Sequence, residues 1–391
     1  MKRLATNDHD ARTPALRPLQ GIALAGLALC AATLAAHAQI VTPKLISIPV
    51  LIHDHRGALI SGLSTADVTL TDNTHPQTIL SFTQDNSLPL ALGLLAQTGP
   101  GQEHFLNEEK HASEAFLAAM LSRSSRPADS DKNVSEKVTN FVIQFHEDVD
   151  LLEEPSPSTN KLHQAIDQIG RAEFAGDSNQ ESNFGATETS KKNKNAGAKL
   201  YDAIYLAAHA VLARENGRKA ILVFTDGLDR GSITSLNGAI EAAQRAGVAV
   251  YAIYQKPARA TQSPFGRFPK NHTTPSSPYP GGLPGYPEGL PSGSTGSDTG
   301  SEAPPPPATI SPKDAQRLLA ELCARTGGEM FDADHMSLHA IFTIITAQMN
   351  SAYLLRYQPT NDESGFHHLR LSLKQHGLIV QMPEGYWRGQ D

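Results

Sequence analysis

The side chains with the most chemistry to offer are carboxylates and imidazoles. Asp226 follows the apolar run Ala220–Phe224 in Thr225-Asp226-Gly227, where a carboxylate can ligate a hard cation or accept amide hydrogens from its own turn. Glu147, Asp148, Asp150, Glu153 and Glu154 crowd one stretch that could attract Ca²⁺, although such clusters more commonly form a solvated hairpin face. Of the 16 His, His53, His55 and His146 are scattered, and His367-His368 are neighbours in a strand-like run, where they face opposite sides and cannot share a zinc ion. The sequence has no G-x-S-x-G elbow, no H-E-x-x-H and no Gly-rich phosphate loop followed by Lys and a hydroxyl residue. These residue types favour binding over covalent catalysis.

Composition narrows the partners. With 391 residues, 39% of them hydrophobic, the chain can bury a sizeable core, and its net charge of −7 offers no basic stripe for a phosphate backbone. Nucleic acid is excluded as an expected partner. Two Cys rule out a disulfide scaffold. Lys2, Arg3, Arg12 and Arg17 precede an apolar run from Gly21 to Ala36 that ends in Ala36-His37-Ala38. This is the pattern of a secretory signal peptide over residues 1–38, cut before Gln39, with an uncleaved anchor as the alternative. The run is too short to span a bilayer comfortably. Leu29 before Cys30 argues against lipidation, and cleavage leaves Cys323 as the sole thiol, read as a small hydrophobe on a helix face. The expected location is extracytoplasmic, periplasmic or secreted, and the chain is not expected to be an integral membrane protein after cleavage.

The elements that must position these groups change character along the chain. Residues 45–53, 68–71 and 78–82 are β-rich with turn residues between, and form an N-terminal β segment over 39–88. From Pro89 come near-continuous apolar runs at 90–96, 141–145, 220–224 and 248–254, the signature of strands buried on both faces. Between them Leu200, Ile204, Ala207, Ala208, Val211 and Leu212 share one helical face, Ile240 and Ala243 lead to a stop at Gly247, and Ser311, Pro312 and Gly327 punctuate a third helix. Strands alternating with helices imply an α/β fold with a doubly wound, mostly parallel sheet, spanning 89–255 and 313–350. Residues 175–199 read as a polar surface loop. Residues 256–312 hold most of the chain's Pro and read as a disordered insertion. It leaves from the sheet edge that carries Asp226, either as a neutral spacer or draped over that edge. The chain returns to β character over 351–391, and this segment is expected to pair with the N-terminal one in an accessory β module.

Taken together, the strand into Thr225-Asp226-Gly227, the helix opening at Leu200-Tyr201-Asp202-Ala203, Arg245-Ala246-Gly247-Val248 and Arg325-Thr326-Gly327-Gly328 resemble a von Willebrand factor A (VWA) domain. The whole chain is similar to the secreted VWA-related proteins of acidobacteria, with Asp54-His55-Arg56-Gly57 matching their D-x-x-G turn and the tail from Tyr353 through Trp387 matching theirs. The resemblance implies a metal-ion-dependent adhesion site, usually holding Mg²⁺, built from D-x-S-x-S, a Thr and the Asp of T-D-G. Here those positions fall on Gln97, Gly99, Gly101 and Ala198, and only Asp226 keeps its type. One carboxylate cannot hold Mg²⁺ against its own hydration, so the site is expected to be degenerate, with no cofactor and no metal. Asp85-Asn86-Ser87 has the D-x-S spelling but precedes the first buried strand, and Thr187 or Thr189 could supply only a hydroxyl. Asp226 is then either a turn acceptor or, with Asp229 and Gln97, part of a crevice that contacts a partner directly.

The expected function is non-enzymatic protein–protein or cell-envelope interaction without metal. The alternatives are an extracytoplasmic hydrolase using the α/β crevice, and a degenerate scaffold whose terminal β module binds.

Overall fold

The computed structural model describes residues 45–84, 88–99, 101–124, 138–171, 197–256, 310–360 and 363–389. The expected signal segment, the Pro-rich insertion, most of the polar loop before Gly197, and Asp85-Asn86-Ser87 lie outside the described residues.

The chain forms a mixed α/β structure around one mostly parallel sheet. Its strands are β5 (Leu90–Gln97), β6 (Val138–Phe145), β7 (Val149–Ser156), β8 (Arg218–Thr225), β9 (Val248–Tyr254) and β10 (Met330–Asp332), in the order β10-β9-β8-β5-β6-β7. Every neighbouring pair is parallel except β6–β7, a hairpin closed by His146–Asp148. The acidic cluster lies on this hairpin, where Lys161 pairs with Glu153 at 3.2 Å and Lys199 with Asp148 at 3.5 Å.

The period-two alternation of β5 shows why both faces are apolar. Leu90, Leu92, Leu94 and Ala96 pack into one core layer, while Ala91 and Leu95 pack into the other. Helices α1 (Glu103–Ser124), α2 (Thr159–Gln168) and α6 (Leu338–Ser351) cover the first layer. Helices α3 (Leu200–Tyr205, widening into a π-turn over Leu206–Val211), α4 (Leu236–Ala246) and α5 (Pro312–Thr326) cover the second. Cys323 on α5 is fully buried, and burial pushes its thiol well above the ordinary range, as suits an inert core residue.

Helix ends follow the sequence signals. Ser235 accepts from the Gly238 amide at 3.1 Å and Ser311 from the Asp314 amide at 3.2 Å. Gly247 and Gly327 close α4 and α5 in left-handed conformations, with φ of 67° and 86°.

The two terminal segments interleave rather than forming separate sheets. One sheet runs β13 (Leu378–Gln381), β1 (Ile46–Asp54), β11 (Tyr353–Tyr357), β4 (Ile79–Gln84); the other runs β14 (Gly385–Arg388), β12 (Gly365–Leu373), β2 (Val68–Asp72), β3 (His75–Gln77). Both sheets feed a single core containing Val50, Leu70, Tyr353 and Leu371.

Among its buried polar groups, Asp72 accepts from the Tyr357 hydroxyl at 2.8 Å and the Tyr386 hydroxyl at 3.1 Å, and meets His367 Nδ1 at 2.8 Å. His367 Nε2 lies 2.9 Å from the Glu363 carbonyl. That carbonyl can only accept, so Nε2 carries a hydrogen, and Asp72 and His367 share one further proton between them.

Candidate functional site

The sheet reverses its direction of growth at β5, with β6 on one side and β8 on the other. Gln97 ends β5 and Asp226 follows β8, so both stand at the carboxyl edge where open α/β sheets bind ligands. The structure brings them into contact. Gln97 Nε2 donates to Asp226 Oδ1 at 3.2 Å, while Gln97 Oε1 accepts from the Thr225 hydroxyl at 2.6 Å and from the Asp226 amide at 3.0 Å. Asp226 Oδ1 also accepts from the Leu228 amide at 3.0 Å, closing an Asx turn.

Gln97 and Asp226 are each 4% exposed. They therefore form a closed floor, with Asp226 in the turn-acceptor role that was one of the two readings of its sequence. The amide performs two tasks that a carboxylate could not: it donates to Asp226 and still satisfies two donors.

The other adhesion-site positions supply no oxygen from a side chain. Gly99 has φ of 106°, and a Cβ placed there would lie 2.2 Å from the His146 ring, so a serine would need that ring to move and would sit on a strained backbone. Gly101 is likewise at positive φ. Ala198 is 1% exposed, and its carbonyl accepts from the Arg230 amide at 3.0 Å. The oxygen ligands demanded by Mg²⁺ do not fit this residue set, in which the amide hydrogens of Gln97 point at the one carboxylate. Among the described residues no group of three or more His, Cys, Asp or Glu is placed to hold a metal ion.

Beside this floor the segment after Asp226 is braced from α3. Asp229 Oδ1 accepts from the Tyr201 amide at 3.2 Å and from the Ser232 hydroxyl at 2.5 Å, and Ser232 Oγ accepts from the Asp202 amide at 3.0 Å. Asp202 returns the contact, accepting from the Thr234 amide at 2.8 Å and the Ile233 amide at 3.0 Å. Burial works against ionising Asp202, but those amide hydrogen bonds hold its carboxyl below the ordinary value. The braced loop presents Ile233, which is 97% exposed.

Nearby, Tyr254 is pushed up, first by burial and then by the charges of Asp334, Asp226 and Asp332. The field at this edge is acidic.

Sequence reasoning found Gln97 and Asp226 but not the loop braces or the buried carboxyl of Glu109. Asp202 was visible at a helix start, where an acid favours capping contacts, yet nothing in its spacing reveals that it reaches the 229–234 loop. Glu109 was detectable in principle. Gln102, Leu106, Glu109, Ser113, Phe116 and Met120 recur at helical spacing, which puts an acid on a buried stripe.

No hydrolytic constellation is organised in the described residues. The buried Asp–His pair, Asp72–His367, lies in the β module with its second ring nitrogen already spent on a backbone carbonyl, and the other, His335–Asp332 at 3.0 Å, is a surface i,i+3 contact.

The doubly wound sheet with Asp226 at its carboxyl edge is the arrangement that the sequence resemblance implied. The fold is VWA-like. No protein-family model and no curated protein matches the chain. Among solved structures it is similar to BatB from Bacteroides thetaiotaomicron, at 16% identity and a TM-score of 0.28 over 42% of this chain and 66% of that one. It is similar to an aerotolerance-related membrane protein from Bacteroides fragilis at 13% identity and 0.35, over 67% and 98%. It is also similar to the vWF domain of the type V pili tip protein Mfa5 from Porphyromonas gingivalis at 14% and 0.25, over 36% and 39%. The match spans less than two thirds of the BatB and Mfa5 chains. Likenesses of this size concern the fold alone.

Proposed function

We propose that this chain is an exported, non-enzymatic interaction protein whose carboxyl-edge surface binds another polypeptide directly, without a metal bridge. The observation that carries the reading is Ile233, an almost fully exposed isoleucine on a loop fixed by Asp202 and Asp229 beside the closed Gln97–Asp226 floor. A rigid apolar anchor loses little conformational freedom on docking, which is the property of an interface hot spot. The acidic surroundings of Asp226, Asp332 and Asp334 favour a partner that offers Lys or Arg at the rim. The Gln97 amide supports metal independence, because it closes the floor with hydrogen bonds where the resemblance implies an ion. Export rests on the residue pattern of 1–38. Among the described residues no helix is long and apolar enough to cross a membrane.

The test is capture from envelope extract by the purified chain, with and without EDTA, for the native protein and Ile233→Asp. Chelator-insensitive capture that Ile233→Asp abolishes supports the reading. Chelator-sensitive capture, or micromolar saturable Mg²⁺ or Mn²⁺ binding by calorimetry, defeats metal independence. Turnover of a test ester or glycoside would favour the rival hydrolase, and capture that survives Ile233→Asp but needs the terminal β module would move the interface there.

A further inference from the structure

Glu109, in the second turn of α1, is 3% exposed, and among the described residues neither of its carboxyl oxygens makes a hydrogen bond of good geometry, the one side-chain donor acting on it being Gln255. It faces Gln255, which is 1% exposed and whose Oε1 is also unpartnered. Gln255 sits just beyond β9, tied by its amide to the Thr225 carbonyl at 3.0 Å, so the pair lies at the same carboxyl edge as Gln97 and Asp226.

All three orphaned atoms are acceptors. Acceptors closed off from water are costly unless a hydrogen stands between them. A single added proton satisfies the set: neutral Glu109 donates its O–H to Gln255 Oε1, and its other oxygen accepts from the Gln255 amide nitrogen. A carboxylic acid and a primary amide are complementary in this two-point way.

We propose that Glu109 is kept as a neutral acid and acts as a proton-operated latch, tying α1 to the carboxyl edge of β8 and β9. The latch does not depend on what the edge binds. When the proton leaves, a carboxylate is stranded against the apolar layer that includes Leu106 and Phe116, and it regains water only if the first turns of α1 lift. Those turns follow Gln97, Thr98 and Gly99 directly, so the floor loosens with them.

The surrounding charges do not relieve the carboxylate. On α1, Glu108 opposes its ionisation and Lys110 favours it, but the Lys110 ammonium is engaged with the Asp167 carbonyl at 3.1 Å. On α2, His163 is paired with Glu114 at 3.2 Å and Lys161 with Glu153. Strand β6 carries no charged residue, and α6 carries only His339 as a titratable group. Lys256 follows Gln255 in the chain. Burial first, with Glu108 adding to it, pushes the Glu109 carboxyl up to about 8, against the pull of Gln255 and Lys110.

Two measurements on the full chain test this. Infrared spectroscopy of the native protein should show a buried protonated carboxyl at pH 7 that disappears above pH 8; absence of that band at pH 7 overturns the proposal without any variant. Hydrogen exchange across Gln102–Ser113 should lose about tenfold or more in protection between pH 7 and 9, after correction for intrinsic exchange, while Glu109→Gln holds its protection flat. The same loss in Glu109→Gln would equally overturn it.

Discussion

At the residue scale, one amide side chain ties the ends of two strands together. Gln97 makes three hydrogen bonds within the floor, and Gln97→Leu leaves the Thr225 hydroxyl and the Asp226 amide without an acceptor while Asp226 Oδ1 keeps only the Leu228 amide. The expected cost is about 2–4 kcal/mol in the urea-unfolding free energy, with the fold retained. A loss below about 0.5 kcal/mol would mean that the floor is hydrated and its bonds are replaceable. Glu109 gives the opposite kind of effect. Its folded value of about 8 lies above the ordinary 4.5, so the stability held by the neutral acid is complete below pH 4.5 and is lost as pH rises through 8. Between pH 6 and 9 the native chain should lose about 2–3 kcal/mol relative to Glu109→Gln. Parallel pH profiles would contradict the assignment. Asp226 was legible from T-D-G, and the amide at 97 from counting ligand positions. The partnership of Glu109 with Gln255 was not, because it joins residues far apart in sequence on elements whose docking no local pattern records.

At the element scale, the strands buried on both faces and the helices with clear caps could be read directly, since period-two apolar runs and Ser, Pro and Gly punctuation are local signals. Helix α1 could not. Its buried stripe is interrupted by Gln102, Glu109 and Ser113, so the apolar periodicity that marks a helix is blurred where polar groups are needed at the sheet edge. The β module was legible as β-rich segments and as a pairing of the N- and C-terminal stretches, but not in its division into two sheets or its register, because strand partners lie at opposite ends of the chain. Gly327 shows how an element end and a tertiary contact become one constraint. It caps α5 at positive φ, and a Cβ there would stand 2.7 Å from Pro383 of the β module. Gly327→Ala is therefore expected to cost more than the roughly 1 kcal/mol of a simple left-handed cap, about 2–3 kcal/mol, read as a fall in Tm. A drop no larger than that of Gly247→Ala, where no atom lies within 4 Å, would show that the Pro383 contact yields freely.

At the scale of the whole molecule, the α/β part and the β module share a bonded seam. Arg325 Nε donates to Glu384 at 2.8 Å, the Glu384 amide donates to the Arg325 carbonyl at 3.1 Å, and the Arg245 guanidinium lies 4.0 Å over the Trp387 ring. Trp387 is the only tryptophan in the chain, so its fluorescence reports on this seam. Urea unfolding followed by Trp387 emission should coincide with that followed by far-ultraviolet circular dichroism. Two separated midpoints would show that the β module opens on its own.

The interleaving of the β module also fixes an order of events at the ribosome. Among the described residues the strands that pair with β1 are β11 and β13, so Ile46–Asp54, apart from its local contacts with Leu59 and Ile60, must wait for its partners until residues 353–381 have been made. Until then most of that strand is an unpaired template, vulnerable to pairing with a neighbouring nascent chain. Holdase protection of that one segment should matter more to yield than protection of any later strand.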